Sequence, residues 1–385
     1  MRTGAHSRLS LTPTWQCPYA WAGSYIYYAT GTTVEGVNLF RVPIKKNTWE
    51  VRGPAERITS GAGMQCAVSV LPDGRALYAN LTWVANIFTL AARPDEGIVS
   101  GSPVPVTKDV TAKFSPGLSR DGSKLVYAAI RGLRNQVGEV RLLNLAIGEE
   151  KILPMRTSQL SLVPRISPDG TVLSYREREG ERSRSFIVSG EEASPREVCD
   201  SCTILGFFSD PNLALVREKG EQLLRLNIAT GEKTPVLEAS VGSISSPALS
   251  PDDRWIAFIL NKPDGRVAMF IAPVAGDTAA APVSEKDWVL LFEDEHYLGS
   301  PAWSPGGNYL FYLSERDGAC SVWTQKLESR SKRPDGAIRV IFRPQGRIGL
   351  NFPRGNGTVA VARDKLALWT GEGTGNIYLA TPKKE

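Results

Sequence analysis

One short phrase recurs along the chain and limits its fold more than any other feature. It joins a small or apolar stretch, a Ser-Pro-Asp-Gly-like turn, and a strand in which apolar and aromatic residues alternate. The phrase reads AVSVLPDGRALYAN at 67–80, PGLSRDGSKLVYAA at 116–129, PRISPDGTVLSYRE at 164–177, PALSPDDRWIAFIL at 247–260 and PAWSPGGNYLFYLS at 301–314. A degraded copy, LGFFSDPNLALVRE, lies at 205–218, while YAWAGSYIYYAT at 19–30 lacks the Asp and VAVARDKLALWTG at 359–371 has lost the Gly. Copies fall roughly 40 to 60 residues apart, the length of a four-stranded propeller blade.

The turn has a physical reading. Asp73-Gly74, Asp121-Gly122, Asp169-Gly170, Asp252-Asp253 and Gly306-Gly307 supply the positive φ that a tight hairpin needs. The Asp side chain bonds its own backbone and caps the turn, so these positions are structural. A second hairpin follows the first, as in EVRLLNLAIGEEKIL at 139–153, QLLRLNIATGEKTPVL at 222–237 and NLFRVPIKKNTWEV at 38–51. Each repeat therefore supplies four strands, and no blade buries both faces alone, so repeats must stack around an axis.

The expected fold is all-β: a single β-propeller of four-stranded antiparallel blades spanning 1–385. Eight blades are expected, at about 15–60, 61–109, 110–155, 156–198, 199–240, 241–294, 295–343 and 344–385. Seven is the alternative if one end repeat is only a hairpin. The segment SRLSLT at 7–12 has strand alternation and is expected, with residues 1–14, to close the ring by pairing with 376–380.

Composition agrees. Gly 36 and Pro 26 are spread along the chain, and 42% hydrophobic with 22% charged residues suits a globular core. No helical apolar period is sustained. A net charge of +5 on 45 basic and 40 acidic residues is a weak nucleic-acid signal. The basic runs 176–184 and 330–333 are expected to be solvated loops. No apolar run is long enough to span a membrane, and the first 15 residues lack an apolar signal core, which favours the cytoplasm.

Candidate chemistry is sparse. Five scattered cysteines (Cys17, Cys66, Cys199, Cys202, Cys320) are no disulfide framework. Cys199-Asp-Ser-Cys202 leaves three readings open: structural thiols near an inter-blade loop, a disulfide if the chain is exported, or a redox or metal pair. A zinc site would want a second such pair, and the sequence has none. The two histidines are His6 and His296. Glu293, Asp294, Glu295 and His296 are the one place a divalent metal might find several ligands, yet adjacent loop residues rarely all point inward. GEGTG at 371–375 is expected to be a hairpin turn and not a phosphate loop. Trp255, Trp303, Trp323 and Trp369 fit blade core, while Trp15, Trp49, Trp83 and Trp288 are better contact candidates. No catalytic, cofactor-binding or metal-binding residue is assigned, and no cofactor is expected.

The recurring xPxxSPDGxxLxYxS and xxLxLxxLxTGE hairpins resemble the TolB-type, WD40-like propeller repeats of bacteria. From about residue 110 their order also resembles the propeller attached C-terminally to bacterial serine/threonine protein kinases and winged-helix regulators. The resemblance implies a non-catalytic sensor or scaffold in signalling, binding a protein, peptide or small ligand at one face or at the channel mouth, as a monomer. It also implies the periplasmic side, against the cytoplasm read from the sequence start. The kinase motifs themselves are missing: no glycine-rich loop precedes a strand lysine, and His-Arg-Asp and Asp-Phe-Gly do not occur. Two alternatives stay open: a glycan-active propeller hydrolase or lyase with loop carboxylates as acid and base, and a remnant of a sensor kinase or regulator lacking its effector domain.

Overall fold

The computed structural model describes residues 15–31, 36–109, 111–131, 137–155, 163–179, 182–190, 194–218, 222–274, 276, 281–345, 348–350 and 358–381. Their regular structure is β throughout, apart from two three-residue 3₁₀ turns at Pro94–Glu96 and Glu285–Asp287. Five separate sheets of four antiparallel strands follow in chain order. Blade one holds Ala112–Leu118, Lys124–Arg131, Val137–Asn144 and Glu150–Ile152. Blade two holds Arg165–Ile166, Val172–Glu179, Arg182–Ser189 and Arg196–Asp200. Blade three holds Thr203–Phe207, Leu213–Arg217, Leu223–Asn227 and Lys233–Leu237. Blade four holds Ser243–Leu249, Trp255–Asn261, Val267–Pro273 and Val289–Asp294, and blade five Ala302–Trp303, Tyr309–Ser314, Ser321–Lys326 and Arg339–Phe342.

The remaining strands form one ten-stranded mixed sheet. Two of them are long, Ala76–Arg93 and Lys365–Ala380, and they are neighbours. The Ala92 amide donates to the Asp364 carbonyl at 2.9 Å, and Tyr78 stacks on Tyr378 with ring centroids 5.6 Å apart. The two strands therefore run antiparallel. The chain divides into two compact units, and both long strands cross from one to the other near 84/85 and 371/372.

In the larger unit, the mixed sheet contributes the order Val359–Val361, 365–371, 85–93 and Ile98–Pro105. Apolar clusters join each sheet to the next. Val126 and Val140 pack with Tyr175 and Phe186 between blades one and two. Ile187 packs with Ile204 and Val216, then Leu215 with Ile256 and Phe258, then Ile271 with Leu310 and Tyr312. Phe311 and Val322 meet Leu366 and Leu368 of the mixed sheet, and Ile87 and Ala367 return the packing to Leu125 and Tyr127 of blade one. Each such side chain, fully buried, contributes about 1.5–3 kcal/mol of transfer free energy. These clusters, more than any propensity, hold the sheets together.

The smaller unit is a meander of Trp15–Ala22, Tyr25–Gly31 and Gly36–Pro43 with Glu56–Arg57 on its edge. It joins Gly63–Val70 through a short parallel pairing, Gly36 to Gly63 and Val37 to Met64. Ala29, Val37, Leu39, Val68 and Ala76 form its core.

The pairing does not give eight separate blades. The two earliest copies of the phrase lie in the smaller unit and the mixed sheet, and the last copy pairs within that sheet. GEGTG is not a hairpin turn: 371–375 lies inside the unbroken strand Lys365–Ala380. Its glycines keep strand geometry, since neither Gly373 nor Gly375 takes a positive φ. The expected closure by residues 7–12 falls outside the described residues, and 376–380 runs beside the Ala76–Arg93 strand.

Candidate functional site

Six hairpins of the larger unit end alike. The amides of Ser119, Ser167, Phe208, Ser250, Ser304 and Ala362 each donate to the carbonyl that opens the next strand, at 2.8–3.0 Å. This fixes equivalent positions across the sheets. In blade two, the Ser167 hydroxyl donates to Asp169 Oδ1 at 2.5 Å and accepts the Val172 amide at 2.9 Å. Ser119 with Asp121 and Lys124, and Ser250 with Asp252 and Trp255, repeat this box. The serines are buried to 2% exposure or less, whereas the aspartates are exposed. The aspartates were visible in the sequence as turn formers; the buried serine that organises the box was missed, although the Ser-x-Asp spacing signals it.

Hydrogen bonds from Ser119 first, then from Ser123, hold the Asp121 carboxyl below its ordinary range. At Asp169 and Asp252, partial burial pushes upward, but the bonds from Ser167 and Ser250 and from following amides outweigh it. Gly74, Gly122, Gly170 and Gly307 take φ of 71–84°, and Asp253 stands in the corresponding place at φ 60°. The Gly306 amide donates to Asp95 Oδ1 at 2.6 Å, and the Arg75 amide to Asp73 Oδ1 at 3.1 Å.

Two residues before each hairpin position stand Gly117, Arg165, Gly206, Ala248, Ala302 and Ala360. All six line one cavity of about 400 Å³ in the larger unit. β-bulges in the inner strands of blades one, three and four lie next to this level, between Phe114 and Gly117, Ile204 and Gly206, and Ser245 and Ala248. They re-aim the backbone there. The residues that follow, Leu118, Ile166, Phe207, Leu249, Trp303 and Val361, also line the cavity and are all apolar. Five small residues leave the space, and one arginine enters it.

Arg165 is half-buried. Its Nε donates to the Leu205 carbonyl and its Nη1 to the Pro164 carbonyl, both at 2.9 Å. Desolvation, and secondarily the like charge of Arg176, bring it down to about 10, still protonated at neutral pH. Arg120 Nη2 donates to the Pro251 carbonyl at 3.0 Å and the Ser209 hydroxyl at 3.3 Å, so a side chain of blade one reaches blades three and four. Neither arginine is ion-paired among the described residues. Among the described residues Asp253 is the one carboxylate of the lining, and both its oxygens accept the Ser209 amide. Thr358 Oγ1 is buried in the same wall and has no hydrogen-bond partner among the described residues.

Other candidate residues lie elsewhere. Cys199 and Cys202 are joined as a disulfide, with Cα atoms 5.8 Å apart, inside the apolar cluster between blades two and three. Asp294 receives the His296 amide and ring and the Arg316 guanidinium, while Glu293 pairs with Lys262 and Arg266. Among the described residues no group of three or more His, Cys, Asp or Glu could hold a metal ion. The basic runs are not solvated loops throughout. Arg176 and Arg184 lie on paired strands. Lys332 is 3% exposed, its Nζ donating to the Gly307 carbonyl at 2.7 Å and lying 5.8 Å from the Trp303 ring. Trp288 packs edge-on against Phe258 in the core, and Trp49 is 53% exposed beside Trp21.

These sheets, with their inner strands around one cavity, define a β-propeller with four-stranded antiparallel blades. No protein-family model and no curated protein sequence matches the chain. Solved structures do. A TolB-type protein of Agrobacterium tumefaciens aligns at TM-score 0.54 and 16% identity, over 75% of this chain and 99% of that one. TolB of Acinetobacter baumannii aligns at TM-score 0.50 and 12% identity, over 93% and 83%. An oligogalacturonate lyase in complex with manganese aligns at TM-score 0.47 and 11% identity, over 80% and 97%. Likeness at such identities shows the fold alone, and that fold is a TolB-type β-propeller. Among the described residues no helix is long and apolar enough to cross a membrane, which says nothing of β-barrels.

Proposed function

We propose that this chain is a non-catalytic binding module, a six-bladed ring whose central cavity receives a small ligand or a segment of a partner protein. The sixth blade in this reading is the set Val359–Val361, 365–371, 85–93 and Ile98–Pro105. The observation that carries the reading is the cavity itself: inner strands of six sheets meet around about 400 Å³, with apolar side chains and polar groups sharing the walls, and a concave space with convergent polar groups is the usual form of a ligand site. Acid–base hydrolysis of a glycosidic bond wants two facing carboxyl groups, whereas the described lining holds the single carboxylate of Asp253. The turn boxes fix the rim, and the partner or ligand supplies the specificity.

Gly206 allows a direct test. A Cβ built there meets nothing within 4 Å, so Gly206→Trp fills the cavity without a clash at its root. Affinity capture with the purified wild-type chain should retain a ligand or partner that Gly206→Trp loses. Equal capture by both proteins overturns the cavity reading, and turnover of a glycan by the wild-type chain overturns the non-catalytic one.

A further inference from the structure

We propose that Arg165 makes the cavity selective for an anion: the site takes a carboxylate carried on an apolar body. This deepens the binding reading above and rests on it.

The argument is one of position and solvation. At six equivalent places around the cavity, five residues carry one side-chain carbon or none, and the sixth carries a guanidinium. Five small side chains leave room at this level, and Arg165 is the sole charged residue among the six. Its bonds use Nε and Nη1, both toward backbone carbonyls, so among the described residues the Nη2 donors are not committed to protein. A half-buried cation satisfied by neutral carbonyls and unpaired with any carboxylate is under-compensated, because charge-assisted pairs are roughly twice as strong as neutral ones. Burial lowers the guanidinium's hold on its proton but leaves it charged.

An incoming carboxylate would regain that interaction in a site poorer in water than the surface. Arg120 adds a second cation to the lining. Its two present acceptors, a carbonyl and a hydroxyl, are exposed and replaceable. Asp253 offsets one of the two charges, but both its oxygens are already bonded to the Ser209 amide. The neighbouring apolar level, with Ile166, Phe207, Leu249 and Trp303 among its members, suits the body behind the carboxylate and not a sugar or a polyphosphate. Two sources present that chemistry: a free carboxylic acid, and the C-terminal apolar residue of a peptide.

The test is calorimetric titration of the full chain with paired probes. N-acetyl-leucine and its amide represent the small acid, and N-acetyl-Ala-Pro-Leu with a free or amidated end represents a chain terminus. The free acids should bind at least about tenfold more tightly than the amides, as expected for one charge-assisted bond. Arg165→Met should abolish the preference, and Arg165→Lys should keep part of it. Binding of the small acid points to a free metabolite-like ligand; binding of the peptide acid alone points to a chain end. Equal affinity of acid and amide, or an undiminished preference in Arg165→Met, overturns the anion site while leaving the cavity reading intact if Gly206→Trp blocks both probes. Failure of every probe to bind wild type also overturns the anion site, and the cavity reading then stands or falls by its own capture experiment.

Discussion

Replacing Ser167 by Ala tests what holds the repeated turn together. The hydroxyl makes two bonds of different kinds. Its donation to Asp169 ends on an exposed carboxylate that still receives the Thr171 amide at 3.1 Å and the Thr171 hydroxyl at 2.8 Å. Water replaces that bond at little cost. Its acceptance from the Val172 amide at 2.9 Å is different, because Val172 is 9% exposed, Ser167 is 0% exposed and no other acceptor is bonded to that amide. An orphaned buried N–H costs about 1–3 kcal/mol, so Ser167→Ala should lose about 2 kcal/mol. With a urea slope of about 3 kcal/mol/M, the unfolding midpoint should fall by roughly 0.7 M at unchanged slope. Asp169→Ala removes the acceptor of the Ser167 hydroxyl and two bonds from exposed Thr171 but leaves the Val172 amide its acceptor, so it should cost less, about 0.5–1 kcal/mol. Urea titration followed by tryptophan fluorescence reads both. A Ser167→Ala midpoint equal to wild type, or an Asp169→Ala loss larger than that of Ser167→Ala, would refute the claim that the buried serine organises the turn.

The other predictions concern acid, core and thiols. Asp121, Asp169 and Asp252 have folded pKa values below their unfolded ones; their stabilisation is present above about pH 4 and is lost as pH falls through the folded values. Urea midpoints should therefore drop steeply below about pH 4, less steeply in an Asp121→Asn/Asp169→Asn double variant, and an unchanged acid slope there counts against the assignment. Trp369 is fully buried, so Trp369→Ala should cost about 3–5 kcal/mol by differential denaturation. Thiol titration of the unfolded, unreduced chain should count Cys17, Cys66 and Cys320 only, and Cys199→Ser should lower stability by about 2 kcal/mol in oxidising buffer and by little with reductant present. Five titratable thiols before reduction would remove the disulfide.

Sequence legibility followed the range of the interactions. The four-stranded antiparallel blades were readable because each is built from neighbouring hairpins whose turns carry Asp, Gly and Pro. The mixed sheet was not, because the pairing of 85–93 with 365–371 joins segments that share no local signal. GEGTG looked like a turn because glycines usually mark one, yet its neighbours on the adjacent strand supply the ladder. Lys332 looked solvated in a basic run, but the Gly307 carbonyl and the Trp303 ring lie within its reach only after folding. The cavity level is the instructive case. Gly117, Gly206 and the three alanines are unremarked small residues in the chain, and Arg165 looks like one more strand arginine. Only their common register reveals a ring of five gaps and one charge.

The pairing of 85–93 with 365–371 also sets an order of events. About 270 residues of chain separate the two segments, so their union carries a large loop-closure cost that no local contact offsets beforehand. During synthesis the five inner blades emerge with all their hairpin partners, while the Ile87 and Leu90 side chains, 0% and 1% exposed in the finished fold, wait without their neighbour. A nascent chain halted before residue 365 would present that sticky edge to chaperones or to other copies of itself. Pulse proteolysis of such stalled chains should find blades two to four protected first and the 85–105 hairpin last.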